Sequence, residues 1–167
     1  MKTYSNNPFH LLDFDQIDEY IKQNLTGSDK IDSWLNNELK AYLICKLPAN
    51  LKVGSLGLTG LPLLMLPDNL NVAGRLLLEN LPLLMLPNNL KVDGNLYLKN
   101  LPKLETLPDN LIVEGYLSLN NLPQLTNLPD NLKIGGNLYL ENLPKLQPFD
   151  RSRFKSVTIT NCPLLKA

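Results

Sequence analysis

The 167-residue sequence predicts an α+β chain: a β-rich solenoid of parallel strands in coils of 20–21 residues, preceded by a helical cap. Three observations predict it. The string Leu-Pro-x-Asn-Leu returns from Leu47, Leu66, Leu86, Leu107 and Leu128, in steps of 19, 20, 21 and 21 residues. A second string, Gly-x-Leu-x-Leu-x-Asn-Leu-Pro, interleaves with it from Gly54, Gly74, Gly94, Gly115 and Gly136, with Gly60 in place of the Asn in the first copy. Residues 1–46 carry neither string and instead space their apolar residues as a helix does. The domain division that follows is a cap over 1–46 and a solenoid of about five repeats plus a closing strand over 47–167.

Within a repeat, Leu96 and Leu98 alternate with Asn95, Tyr97 and Lys99. A period of two sends the leucines to one side of a strand and the others to the opposite side. One strand per coil follows, and strands of successive coils pair in parallel along one wall. The Leu-Pro segments after each strand cannot be helical, because Pro lacks an amide donor and disfavours helix at the residue before it. They turn the corners and return extended. A coil of this length has no room for a helix beside its strand and two turns.

Asn80, Asn100, Asn121, Asn142 and Asn161 recur just after the strand. Stacked, their amides form a ladder that is expected to satisfy buried backbone groups at the bend. Most of the glycines stand at coil boundaries, where they allow a bend or close stacking. Asp68, Asp109 and Asp130 sit in the other turn, where carboxylates serve turn geometry; Ala49 and Asn88 interrupt the column that a calcium row would need.

In the cap, Phe14, Ile17, Tyr20, Ile21 and Leu25 predict one helix from about Asp13 to Leu25, broken by Thr26-Gly27-Ser28. Ile31, Trp34, Leu35, Leu39 and Leu43 predict a second, with Ser28 as its capping candidate. The pair is expected to cover the apolar end of the first coil. At the far end the repeat decays through Gln147–Asp150 and returns at Ser156–Leu165, where Cys162 takes the place of a leucine and reads as a small buried hydrophobe. The run Arg151–Lys155 reads as a solvated basic turn.

Composition narrows the partners. Hydrophobic residues make up 44% of the chain, enough for a core. Sixteen basic residues balance sixteen acidic ones, so no overall field draws the chain to nucleic acid or to an anionic membrane surface. Neither a secretory signal nor a membrane-spanning run is visible, which predicts a soluble protein without membrane insertion. Cys45 and Cys162 stand far apart and give no metal-ligand spacing, His10 is the sole histidine, and no phosphate-binding glycine loop is present. The expectation is a non-enzymatic chain with no cofactor and no metal.

The repeat resembles the leucine-rich repeat family, and most closely the bacterial short-repeat class of secreted effectors of the YopM, IpaH and SspH type. The shared features are the 20–21-residue step, the Leu-Pro turn and the Leu-x-Leu strand followed by Asn, over about residues 47–165. One feature departs: Asn100 follows the second strand leucine, Leu98, by two residues, where the family pattern usually has three. The resemblance implies a repeat-only bacterial effector or adaptor without a ligase domain, resident in the bacterial cytoplasm or exported into a host cell without a cleaved signal, that binds a host protein through its concave sheet. The alternative is a structural or self-associating module, monomeric or weakly associating through its C-terminal coil.

Alternation also names the outward residues of that sheet. One column runs Ser55, Arg75, Asn95, Tyr116, Asn137, Ser156; the middle one Gly57, Leu77, Tyr97, Ser118, Tyr139, Thr158; the third Thr59, Glu79, Lys99, Asn120, Glu141, Thr160. The inward leucines scarcely vary while these columns do. Aromatics with charged neighbours have the composition of interface anchors, so Arg75, Leu77, Glu79, Tyr97, Lys99, Tyr116, Tyr139 and Glu141 form the expected protein-binding face.

Overall fold

The fold follows from two alternations per coil, one short and one long. A computed structural model describes residues 49–61 and 63–165. The predicted cap over 1–46, with His10 and Cys45, lies outside the described residues. Two-residue strands are β1 (Lys52–Val53), β3 (Asn71–Val72), β5 (Lys91–Val92), β7 (Ile112–Val113) and β9 (Lys133–Ile134). Four-residue strands are β2 (Leu56–Thr59), β4 (Leu76–Glu79), β6 (Leu96–Lys99), β8 (Leu117–Asn120), β10 (Leu138–Glu141) and β11 (Val157–Thr160).

The long strands form one parallel sheet in the order β11-β10-β8-β6-β4-β2, which is the predicted wall of five repeats and a closing strand. Register is strict: Leu56, Leu76, Leu96, Leu117, Leu138 and Val157 are successive partners. The short strands form a second parallel sheet, β1-β3-β5-β7-β9, where the sequence predicts only an extended return. Its signal was present as a β-branched residue three before each long strand's first leucine or four before it, from Val53 to Ile134.

Between the sheets lies a core of leucines. Leu76, Leu78, Leu81 and Leu83 of one coil meet Leu96, Leu98, Leu101 and Leu104 of the next, and none exposes more than 1% of its surface. Each such burial stabilises the fold by about 1.5–3 kcal/mol, before the entropy of ordering the chain is set against it. No polar or charged residue is buried among the described residues. The core therefore asks nothing of the coil except that its path repeat.

Two corners enforce that repetition. Between the short and long strands, Gly94 donates its amide to the carbonyl of Gly74 at 3.1 Å, Gly115 to Gly94 at 3.0 Å, and Gly136 to Gly115 at 2.8 Å. A Cβ on Gly94 would lie 2.5 Å from the Gly74 carbonyl oxygen, and one on Gly115 2.6 Å from that of Gly94. The backbones stack too closely for any side chain. At the opposite end of each long strand, Asn80, Asn100, Asn121, Asn142 and Asn161 all take left-handed φ values of 52–55°, and Gly60 takes 67°. Asn and Gly are the residues that reach this region at least cost.

The asparagine ladder exists, but in a different role from the one expected. Nδ2 of Asn100 donates to Oδ1 of Asn80 at 2.8 Å, Asn121 to Asn100 at 2.9 Å, and Asn161 to Asn142 at 3.1 Å. The side chains bond one another at the partly exposed rim rather than buried backbone groups. The backbone amides instead continue the sheet, as when Asn80 donates to the Lys99 carbonyl and Asn100 to that of Asn120. Asp68 behaves as the turn residue expected, accepting the Asn88 amide at 3.1 Å.

Coil length is adjusted in two places: the first coil is one residue shorter between β1 and β2, and the 20- and 21-residue coils differ just after the long strand. In the 21-residue coils Leu-Pro-x-Leu closes a turn, with Leu104 donating to the Leu101 carbonyl and Leu125 to that of Leu122. In the 20-residue coil, Leu83 follows Pro82 directly and still reaches the core. The added residue is absorbed outside the leucine stack.

The last coil has no short strand. A single 3-10 turn, Arg151–Arg153, stands there, with Asp150 accepting from the Ser152 amide at 2.9 Å and its hydroxyl at 2.7 Å. The hydroxyl bond first, and the amide second, hold the Asp150 carboxyl below its ordinary range. The basic run is a turn with Arg151, Ser152 and Lys155 exposed, and its two arginines in addition bond backbone carbonyls. Arg151 donates to the Leu165 carbonyl at 2.8 Å, and Arg153 donates to the Pro129 carbonyl at 2.6 Å with its guanidinium 5.3 Å from the Phe154 ring centre. Phe154 and Cys162 are both buried, and Cys162 Sγ donates to the Thr160 carbonyl at 3.3 Å.

Two substitution pairs test the corners. Gly94→Ala should cost about 1–3 kcal/mol by overpacking, whereas Gly54→Ala, whose Cβ meets nothing within 4 Å, should lower the denaturation midpoint far less. Asn100→Ala loses the ladder bonds and keeps the left-handed strain, so in chemical denaturation it should be less stable than Asn100→Gly by about 1 kcal/mol.

Candidate functional site

The outward face of the long-strand sheet is where side chains are not dictated by stacking. Tyr97 and Tyr139 occupy the same column two strands apart, with Ser118 of β8 between them in register. Two strand spacings are about 9.6 Å, too far for the rings to meet directly. Tyr116, which sits at the corner before β8, fills that gap. Its ring lies edge-on to Tyr97 at 5.3 Å between centroids and edge-on to Tyr139 at 5.6 Å. These are the T-shaped contacts that aromatic quadrupoles favour, worth about 0.5–1.5 kcal/mol each beyond area.

Polar contacts lock the array. The hydroxyls of Tyr97 and Tyr116 share a hydrogen bond, and Asn137 Nδ2 donates to the Tyr139 hydroxyl at 3.1 Å. Asn95 Oδ1 accepts the Tyr116 amide at 3.0 Å, while Ser55 Oγ accepts that of Arg75 at 3.1 Å. The Arg75 guanidinium stands 5.9 Å from the centre of the Tyr97 ring. Arg75, Tyr97, Tyr116 and Tyr139 thus make one continuous ribbon across four coils.

The third column is paired within itself. Lys99 Nζ lies 2.7 Å from Glu79 Oε1, and Glu141 accepts a hydrogen bond from Asn120 Nδ2. The Lys99–Glu79 pair is substantially exposed and contributes at most about 1 kcal/mol in water. Leu77 is half-buried beside the ribbon, and Tyr139 is the most open of the three tyrosines at 37% exposure.

Of the eight residues expected here, Leu77, Glu79, Tyr97, Lys99, Tyr139 and Glu141 lie in the long strands, and Arg75 and Tyr116 at the corners before β4 and β8. The alternation assigns sides but does not show which side chains meet. Asn95 and Asn137, which hold Tyr116 and Tyr139, and Asn120, which holds Glu141, stand in the same columns without being singled out by the sequence, since a period-two pattern assigns sides and not partners. Removing Tyr97 and Tyr139 together deletes both edge contacts to Tyr116, so the face cannot be altered without a loss of about 1–3 kcal/mol.

Chemically, the ribbon offers planar apolar faces, phenol hydroxyls and one guanidinium. Among the described residues no cluster of three His, Cys, Asp or Glu side chains is placed to hold a metal ion, and no helix is long and apolar enough to cross a membrane. No protein-family model, curated protein or solved structure matches the chain. Architecture alone defines its class: a parallel-strand β-solenoid with coils of about 20 residues, compatible with a leucine-rich-repeat-like unit.

The Tyr97 bond has a spectroscopic consequence. That bond first, and partial burial second, hold the Tyr116 phenol above the ordinary phenol range. A raised folded-state value means a stabilising contribution that is complete below the unfolded phenol pKa and lost as pH climbs through the folded one. In an alkaline titration followed by tyrosinate absorbance, the last-ionising fraction should move to lower pH in Tyr97→Phe. Superimposable titrations of wild type and variant would argue against the bond.

Proposed function

We propose that the chain is a protein-binding module rather than an enzyme, and that its partner docks on the ribbon Arg75–Tyr97–Tyr116–Tyr139. The supporting observation is that stacking requires none of these side chains, yet they are aromatic, mutually ordered and partly open. Tyrosines held rigid before binding lose little conformational entropy on contact, and Tyr and Arg are the residues that most often carry interface energy. Leu77 adds apolar area, and Glu79, Lys99 and Glu141 form a polar rim.

The finer reading rests on the repeat itself. The Leu-Pro turn and Leu-x-Leu strand ending in Asn resemble the short leucine-rich repeats of bacterial secreted effectors, and on that resemblance the partner is a host protein and the chain an effector or adaptor. A second reading is favoured by β11. Among the described residues it pairs only with β10, carries no charge, and leaves Val157 and Ile159 half-buried, so it suits pairing with another copy.

The two readings separate in solution. Immobilised full-length chain should retain specific proteins from a host-cell lysate, and Tyr97→Ala/Tyr139→Ala should reduce their recovery about tenfold or more at a temperature where both forms are folded. Equal recovery would reject the face. Concentration-dependent dimerisation in sedimentation, abolished by Val157→Pro at the start of β11, where the amide faces the open edge because Ser156 and Thr160 turn their carbonyls to β10, would instead favour self-association.

A further inference from the structure

A stripe of exposed apolar side chains runs along a different edge of the solenoid. Leu64 and Met65 stand 47% and 55% exposed, and Leu84 and Met85 of the next coil 48% and 57%. The two coils are joined there, with the Leu84 amide donating to the Leu64 carbonyl at 3.2 Å. The same edge in the following coils is polar: Thr126 donates to the Glu105 carbonyl and Gln147 to that of Thr126, and the positions after them are Thr106 and Asn127. Stacking does not require the apolar pair, because three later coils form the same corner without it. Something near the first two coils accounts for the change.

The chain itself enters at that place. Asn50 donates its amide to the Asp68 carbonyl at 3.0 Å, so residues 49–50 stack beside the corner that follows Met65 by three residues. The preceding amphipathic run, Ile31, Trp34, Leu35, Leu39 and Leu43, ends six residues before Ala49, a tether of at most about 20 Å. A segment held so close meets the stripe at high effective concentration. The stripe has no cover among the described residues.

We propose that residues 31–43 of the chain dock on the stripe Leu64–Met65–Leu84–Met85, with Trp34 and Leu35 as the principal contacts. This seats the segment along the flank of the first two coils and not only over the open end of the first. It leaves the tyrosine ribbon free, so it stands independently of the binding proposal above.

Trp34 is the chain's sole tryptophan and reports the contact directly. In the full-length wild type its emission should be that of a shielded indole and resist acrylamide. In Met65→Gln/Met85→Gln the emission should shift to the red and quenching should rise about twofold or more, with the β-sheet circular dichroism unchanged; the side chains are half exposed, so the folded coils tolerate the change. Leu164→Gln, which alters an exposed leucine at the far end, should leave Trp34 unmoved. A wild-type indole quenched like free tryptophan, or an identical signal in the double variant, overturns the proposal. So does a wild-type dimer in sedimentation whose loss accompanies the shift, since the stripe would then seat a second copy.

Discussion

Every feature of the solenoid depends on backbone-to-backbone stacking of one coil on the next at the glycine corner. At Gly74, Gly94, Gly115 and Gly136 the chain donates to the glycine one coil before it, closely enough that a methyl group has no place. The opposite corner, at the left-handed asparagines, donates to the coil after it. Each long strand is therefore held by bonds running in both directions along the stack. With the two corners fixed, the leucines have no choice of rotation, and the core forms as rungs.

That constraint explains what may vary and what may not. Positions inside the stack are leucine almost throughout, because a rung of one size meets rungs of the same size above and below. Positions outside are free, and the chain uses the freedom unevenly. Arginine and tyrosines collect on the long-strand face, leucines and methionines on one edge of the first two coils, and a phenylalanine-centred plug closes the last coil through Arg151 and Arg153. A repeat protein expresses its individuality only at such positions, since the rest is committed to repetition.

Much of this was legible in the sequence because period carries it. The 19–21-residue step gave coils, the alternation of Leu96 and Leu98 with Tyr97 and Lys99 gave the long sheet and its outward columns, and the place of Cys162 in the leucine column gave its burial. The second sheet was missed because two residues, such as Lys91–Val92, are too few for alternation to register. The asparagines were read for their amides, whereas their φ angle is the stronger reason for them; Gly60 in the first coil was the clue, as glycine shares that angle and has no amide to offer. The partners of Arg151 and Arg153 were not legible because backbone carbonyls leave no mark in a sequence: Arg151 binds that of Leu165, and Arg153 those of Pro129 and Asp130.

The stacking can be measured at the corner amides themselves. Irregular corners of a protein ordinarily exchange their amide hydrogens quickly, whereas here the amides of Gly94, Gly115 and Gly136 are each bonded to the neighbouring coil. Native-state hydrogen exchange by nuclear magnetic resonance should find these three protected to the same degree as the amides of Leu96 and Leu117 in the long strands. Exchange of the three glycines at unprotected rates, with the long strands still protected, would contradict the account.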